Sequence, residues 1–176
     1  REQLLEGGRP RPQELVVTVL FLDFKGYTVA SEKMTPRASM AWVNAYLDTM
    51  TQVIMRHDGV IDDYAGDSIK ANFGVPLKRV SDQEIIRDAT HAVACALSME
   101  QEMHRLNDKH EEEGLPTVGM RIGIHTGPVL AGCVGSAERM KYTTVGDTVN
   151  TAARLENLDR DVVAETPGCR PCRILI

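Results

Sequence analysis

A chain of 176 residues is the size of one ordinary domain, long enough to bury a core and too short for two. Apolar residues at 43% and charged residues at 26% exclude a disordered or fibrous protein. The formal net charge of −5 lacks the broad basic footprint of a nucleic-acid binder, so a phosphate-bearing ligand would be held by local devices: backbone amides, metals or a single Arg.

Residues 1–14 are polar, with Gly7-Gly8, Pro10 and Pro12, and read as an exposed lead-in from an upstream module, with residues 15–176 as the folded domain. The run LVVTVLFLD over residues 15–23 is rich in β-branched residues and nearly continuous, as in a strand buried on both faces, and it ends on an acid. This longest apolar stretch is about ten residues, far short of the ~20 that span a bilayer. No charged-then-apolar leader with a small-residue cleavage site opens the chain, so secretion is not expected.

Thr35-Pro36 supplies an N-cap and a proline at the first helical position. Met40, Val43, Tyr46, Leu47, Met50, Val53 and Ile54 then recur at helical spacing up to His57-Asp58-Gly59. Residues 60–63 and 68–73 are strand-like and flank Tyr64-Ala65-Gly66-Asp67, which reads as a hairpin with an acid at its turn. A second long helix starts at Ser81 or Asp82, carries Ile85, Ile86, Ala89, Val93, Ala96, Leu97, Met103 and Leu106 on one side, and closes at Gly114 and Pro116.

Residues 118–125 and 129–134 are apolar runs separated by Thr126-Gly127-Pro128, which reads as a second hairpin. Asp147 or Thr148 would cap a third helix through Leu158, and residues 172–176 look like the start of another strand. The order β-α-β-β-α-β with C-terminal additions describes an α+β, ferredoxin-like sandwich, a sheet backed by helices on one face. Cys95 and Cys133 read as small buried hydrophobes. Cys169 and Cys172 form a lone C-x-x-C without the further ligands of a zinc site, and a reducing cytoplasm fits this usage.

Chemistry concentrates at three places. Asp23 ends a buried strand and is followed by a turn containing Gly26; such a carboxylate either holds Mg²⁺ beside amides that cradle phosphate oxygens or merely shapes the turn. Asp67 puts a second acid at the hairpin tip, and a ferredoxin-like order can bring that tip beside the end of the first strand, as a two-metal site requires. Asn150 and Arg154 are four apart and share a helix face, with a guanidinium suited to the spread charge of a phosphorane.

Phe21-Leu22-Asp23-Phe24-Lys25-Gly26-Tyr27-Thr28, the Gly66-Asp67 hairpin, Gly127-Pro128-Val129 with Gly132 and Gly135, and Gly146-Asp147-Thr148-Val149-Asn150-Thr151-Ala152-Ala153-Arg154 stand in the order found in class III nucleotide cyclases. Over residues 15–160 the chain resembles the catalytic domain of that family, in its bacterial homodimeric adenylyl cyclase type. The resemblance implies adenylate cyclase activity: in-line attack of the ribose 3′-hydroxyl of ATP on its own α-phosphorus, pyrophosphate leaving, with two Mg²⁺ or Mn²⁺ ions as cofactors.

It further implies that Asp23, Asp67 and the backbone carbonyl of Phe24 ligate metal. Phe24, Lys25, Gly26, Tyr27 and Thr28 form the triphosphate-binding loop, Asn150 orients the ribose, and Arg154 stabilises charge on the α-phosphate. The site would lie between two head-to-tail chains of a homodimer, Asp23 and Asp67 from one and Asn150 and Arg154 from the other. The positions that read the base are Asp63 and Thr143. Thr143 fits the adenine pattern. Asp63 replaces the usual Lys: a carboxylate there accepts from guanine, accepts from the 6-amino group of adenine, or pairs with Lys70 or Lys141.

The alternatives to an adenylate cyclase are a guanylate cyclase acting on GTP and a degenerate nucleotide-binding or dimerisation module. All four of Asp23, Asp67, Asn150 and Arg154 are present, which disfavours the degenerate module. The family's later hairpin, with a basic residue on the triphosphate, has no counterpart before Ile176, so the domain is expected to be C-terminally truncated. An upstream regulatory domain, a cytoplasmic location and no membrane segment in this chain complete the expectations.

Overall fold

The computed structural model describes residues 5–6, 9–136, 138–158 and 172–176. In chain order the elements are β1 (Leu5–Glu6), β2 (Arg9–Pro10), β3 (Gln13–Lys25), α1 (Tyr27–Ser31), α2 (Pro36–Arg56), β4 (Val60–Ala65), β5 (Ser68–Phe73), α3 (Asp82–Glu112), β6 (Gly119–Gly135), β7 (Met140–Val145), α4 (Asp147–Asn157) and β8 (Cys172–Leu175). Strands β3, β4, β5 and β6 with helices α2 and α3 make the expected βαββαβ unit. Its sheet runs β4-β5-β3-β6-β7, with β8 added parallel to β6.

The two long helices begin where their caps dictate. Thr35 accepts from the Ala38 amide through Oγ1, with Pro36 at the first helical position. Ser81 and Glu84 form a reciprocal capping box, satisfying donors that the first turn leaves without helical partners. Their apolar faces cover one side of the sheet, where Leu20, Leu22 and Phe24 of β3 meet Tyr46, Met50, Val53, Met99 and Met103. Truncating a fully buried member such as Leu22 or Met50 to Ala would cost about 2–5 kcal/mol.

Alternation along β3 sends Leu15, Val17 and Val19 to the opposite face, against Val129, Ala131 and Ala152. Here the structure corrects the expectation that helices back one face only, because α4 lies on this second face. It packs at backbone distance: a Cβ at Gly123 would stand 2.2 Å from the Ala152 carbonyl oxygen and 2.3 Å from the Glu156 amide nitrogen.

The same packing overturns the hairpin expected at Thr126-Gly127-Pro128. Those residues lie inside one continuous strand, β6, which pairs with β3 from Gly119 opposite Lys25 to Ala131 opposite Gln13. Gly127 is there to leave room, since a Cβ on it would fall 2.6 Å from Thr148 Oγ1, and the Pro128 carbonyl accepts from that hydroxyl at 2.7 Å. The chain reverses after Gly135 instead, and β7 returns along the second half of β6. Thr148 is spent on β6 and Asp147 is already the first helical residue, so neither caps α4. The N-cap is Gly146, with no side-chain cap bond.

Two boundaries also move. β3 takes in Gln13 and Glu14 from the polar lead-in, and a short helix, α1, follows Asp23 where only a turn was expected. Cys95 is buried, and burial pushes its thiol up to about 12. The Cys169–Cys172 pairing lies outside the described residues, although Cys172 itself is half-buried in β8.

Candidate active site

Asp23 and Phe24 are neighbours on β3 and face opposite ways. Phe24 enters the core, where its ring centroid is 5.3 Å from that of Tyr46; Tyr46 meets Trp42 edge-on, and Trp42 stacks on Tyr27 at 5.9 Å. This aromatic pile fastens residues 24–27 to α2 from beneath. The chain turns at Gly26, in the left-handed region at φ 90°, and α1 begins at Tyr27.

Asp23 emerges on the α4 side with 8% of its surface exposed. Ser68, the first residue of β5, donates to Asp23 Oδ1 at 2.7 Å, which ties the β4–β5 hairpin to the end of β3. Asp67 immediately precedes Ser68, and residues 23–29, Asp67 and Arg121 line one cleft of about 290 Å³. The two acids and the candidate phosphate loop therefore share a cavity.

Arg121 was not among the residues singled out from the sequence. It stands opposite Asp23 in the β3–β6 register, and its guanidinium binds Asp23 Oδ2 through one nitrogen and Glu156 Oε1 through Nε at 2.9 Å. All three side chains are buried. The available signal was an Arg set between Met120 and Ile122 in an apolar strand, because a cation in such a place needs a buried counter-charge.

Among the described residues, no group of three or more His, Cys, Asp or Glu is arranged to hold a metal ion. Two carboxylates at one cleft nevertheless suit Mg²⁺, a hard cation that commonly takes one or two carboxylates and completes its shell with water and substrate phosphates. The donor set thus fits the implied ions. Ser68 and Arg121 hold the Asp23 carboxylate in one orientation.

Asn150 and Arg154 project from the exposed side of α4 and are not among the residues that line the cleft of Asp23 and Asp67. Glu156, two residues after Arg154 on the same helix, is turned inward onto Arg121. One chain brings the carboxylates together with the loop and leaves the Asn–Arg pair elsewhere.

Of the base-reading candidates, Asp63 is exposed and paired with Lys141 at 2.7 Å, one of the outcomes its sequence context allowed. Thr143 is half-buried and donates to Asp62 Oδ2 at 2.9 Å. Asp62, which sequence reasoning missed, sits at a bulge in β4 and joins that edge strand to β7 at the other edge. Its side chain is 1% exposed and meets Lys70 Nζ at 2.6 Å and Lys141 Nζ at 3.1 Å, with Asn72 Nδ2 at 3.0 Å. Burial pushes its carboxyl up, but Lys70, Asn72 and Thr143 outweigh burial and hold it at about 2. Adjacent acids at 62 and 63 were visible; the bulge that makes one of them a buried hub was not.

The sequence pattern described as the adenylate and guanylate cyclase catalytic domain matches residues 11–162. Adenylate cyclase 1 of Rhizobium meliloti (strain 1021) is 40% identical over 145 residues, covering 82% of this chain and 21% of that protein. The crystal structure of the adenylyl cyclase CyaB from P. aeruginosa superposes with a TM-score of 0.78 at 32% identity, covering 84% of this chain and 74% of that one. The guanylyl cyclase Cya2 superposes with a TM-score of 0.75 at 36% identity, covering 83% and 71%. The chain belongs to the adenylate and guanylate cyclase catalytic domain family. It spans about a fifth of the length of the Rhizobium relative.

Proposed function

We propose that residues 15–176 are the catalytic unit of an adenylate cyclase that converts ATP to 3′,5′-cyclic AMP and pyrophosphate. The observation that carries this reading is the shared cleft of Asp23, Asp67, Arg121 and the loop of residues 24–28 in a chain of this family. Asp23, Asp67 and the Phe24 carbonyl would hold Mg²⁺ or Mn²⁺, supplying Lewis acidity at the phosphates. Asp23 is oriented for this by Ser68 and Arg121.

The ribose 3′-hydroxyl releases its proton to water as its oxygen forms a bond to the α-phosphorus, the bond from that phosphorus to the oxygen bridging to the β-phosphate breaks, and pyrophosphate departs with the electron pair of the broken bond. The loop of residues 24–28 positions the leaving phosphates, Asn150 orients the ribose, and Arg154 faces the charge that develops on the α-phosphate. Because Asn150 and Arg154 stand away from the cleft of their own chain, we assign them to the cleft of a second copy in a homodimer. An upstream regulatory domain is in keeping with the greater length of the Rhizobium relative. No helix among the described residues is long and apolar enough to cross a membrane. A cytoplasmic location belongs to the same proposal, since the substrate is a nucleoside triphosphate and the product an intracellular signal.

Thr143 and the Rhizobium relative support ATP as substrate. Asp63 and the likeness to Cya2 favour GTP as the second reading, but the Asp63 charge is countered by Lys141. The test is product formation by the dimer from ATP and from GTP, with Mg²⁺ or Mn²⁺. Cyclic AMP formed preferentially from ATP is the expected result. No product from either nucleotide would overturn the enzyme reading, and product from GTP alone would overturn the base assignment.

A further inference from the structure

The network around Asp62 dictates which way the protons of Lys70 and Thr143 point. An ionised carboxylate only accepts hydrogen bonds and an ammonium only donates them. Asp62 lies against two ammonium groups and is ionised, so it cannot donate to Thr143. Lys70 has three protons and three acceptors: Asp62 Oδ2 at 2.6 Å, the Thr144 carbonyl at 2.8 Å and Thr143 Oγ1 at 3.3 Å. Lys70 is therefore fully spent inside the network.

Thr143 has one hydroxyl proton and two lone pairs. The proton goes to Asp62, at 2.9 Å, and one lone pair takes the Lys70 proton. One lone pair remains. Thr144 does not compete for the role, since its side chain is buried and its hydroxyl meets Asn72 Oδ1 at 3.0 Å.

We propose that Asp62 is a positioning residue that locks the Thr143 hydroxyl as a hydrogen-bond acceptor toward the purine, so that the site favours a base presenting an amino donor at C6 over one presenting a carbonyl there. This rests on the reading of Thr143 as a base-facing residue and extends it. A freely rotating threonine hydroxyl would serve either base; a hydroxyl whose proton is committed elsewhere repels a 6-oxo group. Asp62 acts through Thr143 and need not touch the nucleotide.

The test is the ratio of dissociation constants for ATP and inosine triphosphate, which differ at C6 (amino against oxo) and at N1 (bare against protonated), measured by titration calorimetry on the dimer; the change of that ratio in Thr143→Val isolates the threonine contact. The wild-type chain should prefer ATP by about tenfold, the worth of one hydrogen bond. Asp62→Ala frees the hydroxyl and should bring the ratio close to one, and Thr143→Val should do the same. Asp62→Asn keeps an acceptor oxygen and should preserve the wild-type ratio.

If Asp62→Ala strands Lys70 and fails to fold, Asp62→Ala with Lys70→Met removes both charges, and Thr143→Val tests the acceptor with the network's carboxylate in place. A wild-type ratio near one, or a Thr143→Val or Asp62→Ala chain that weakens both nucleotides equally, would overturn the proposal. Since the readout is binding, an expected ratio pattern without any cyclic product would sink the cyclase reading alone. Turnover with an unmoved ratio would sink this inference alone.

Discussion

Arg121 faces Asp23 across the β3–β6 ladder and joins its carboxylate to that of Glu156 on α4. The candidate metal ligand is thereby coupled to the helix that carries Asn150 and Arg154. A buried ion pair contributes little over an apolar substitute, but deleting one partner strands the others. Arg121→Met would leave two buried carboxylates without their cation and should destabilise the chain by about 3–5 kcal/mol. Arg121→Lys should recover only part of this, because an ammonium lacks the planar fork that reaches two carboxylates. Urea unfolding at neutral pH measures both; an Arg121→Met midpoint equal to that of the wild type would show that the pairing carries no structural weight.

The separation of Asn150 and Arg154 from the cleft of their own chain makes a prediction about mixtures. Asp23→Ala and Arg154→Ala should each abolish turnover as homodimers. Mixed in equal amounts, they should recover about a quarter of the wild-type rate, since half of randomly paired dimers are mixed and each of these holds one complete site of two. The rate of cyclic AMP formation reads this directly. A mixture that demonstrably contains heterodimers and stays inactive contradicts a site shared between chains.

What was legible in the sequence was local. Thr35-Pro36 marks the start of α2, and Ser81, one of the two cap candidates, marks that of α3, because a cap is written beside the helix it opens. The meeting of Asp23 and Asp67 followed from strand order. What was hidden depends on partners distant in the chain. Gly127-Pro128 has the composition of a turn, yet its glycine answers to Thr148 on α4, and nothing near residue 127 announces that helix. The roles of Arg121 and Asp62 likewise hang on register: one residue of slip in β6, or a β4 without its bulge, would send these charges to other neighbours.

The close approach of α4 to β6 makes Gly123 the most restrictive position on that face. An added Cβ would meet backbone atoms of Ala152 and Glu156, which cannot rotate away as a side chain would. Gly123→Ala should push α4 off the sheet at a cost of about 1–3 kcal/mol or more. It should also lower turnover further than the lost stability explains, because Asn150 and Arg154 move with the helix. Thermal unfolding and kcat together check this; full stability and unchanged kcat in the Gly123→Ala variant would mean that the helix seats independently of that contact.

Acid should loosen the fold through Asp62. Its folded-state pKa, about 2, lies below the ordinary value of 3.8, so its contribution to stability is present above the unfolded pKa and is lost as pH falls through the folded one. A difference of this size corresponds to about 2 kcal/mol at neutral pH. Asp62→Ala removes the titrating group, and the gap in unfolding free energy between it and the wild type should narrow by about 1 kcal/mol between about pH 5 and about pH 3. The sign is specific: a carboxyl raised by burial would widen the gap over the same window. Urea titrations at the two pH values decide between them, and a gap that stays constant would mean that Lys70, Asn72 and Thr143 do not hold the Asp62 proton off in the folded chain.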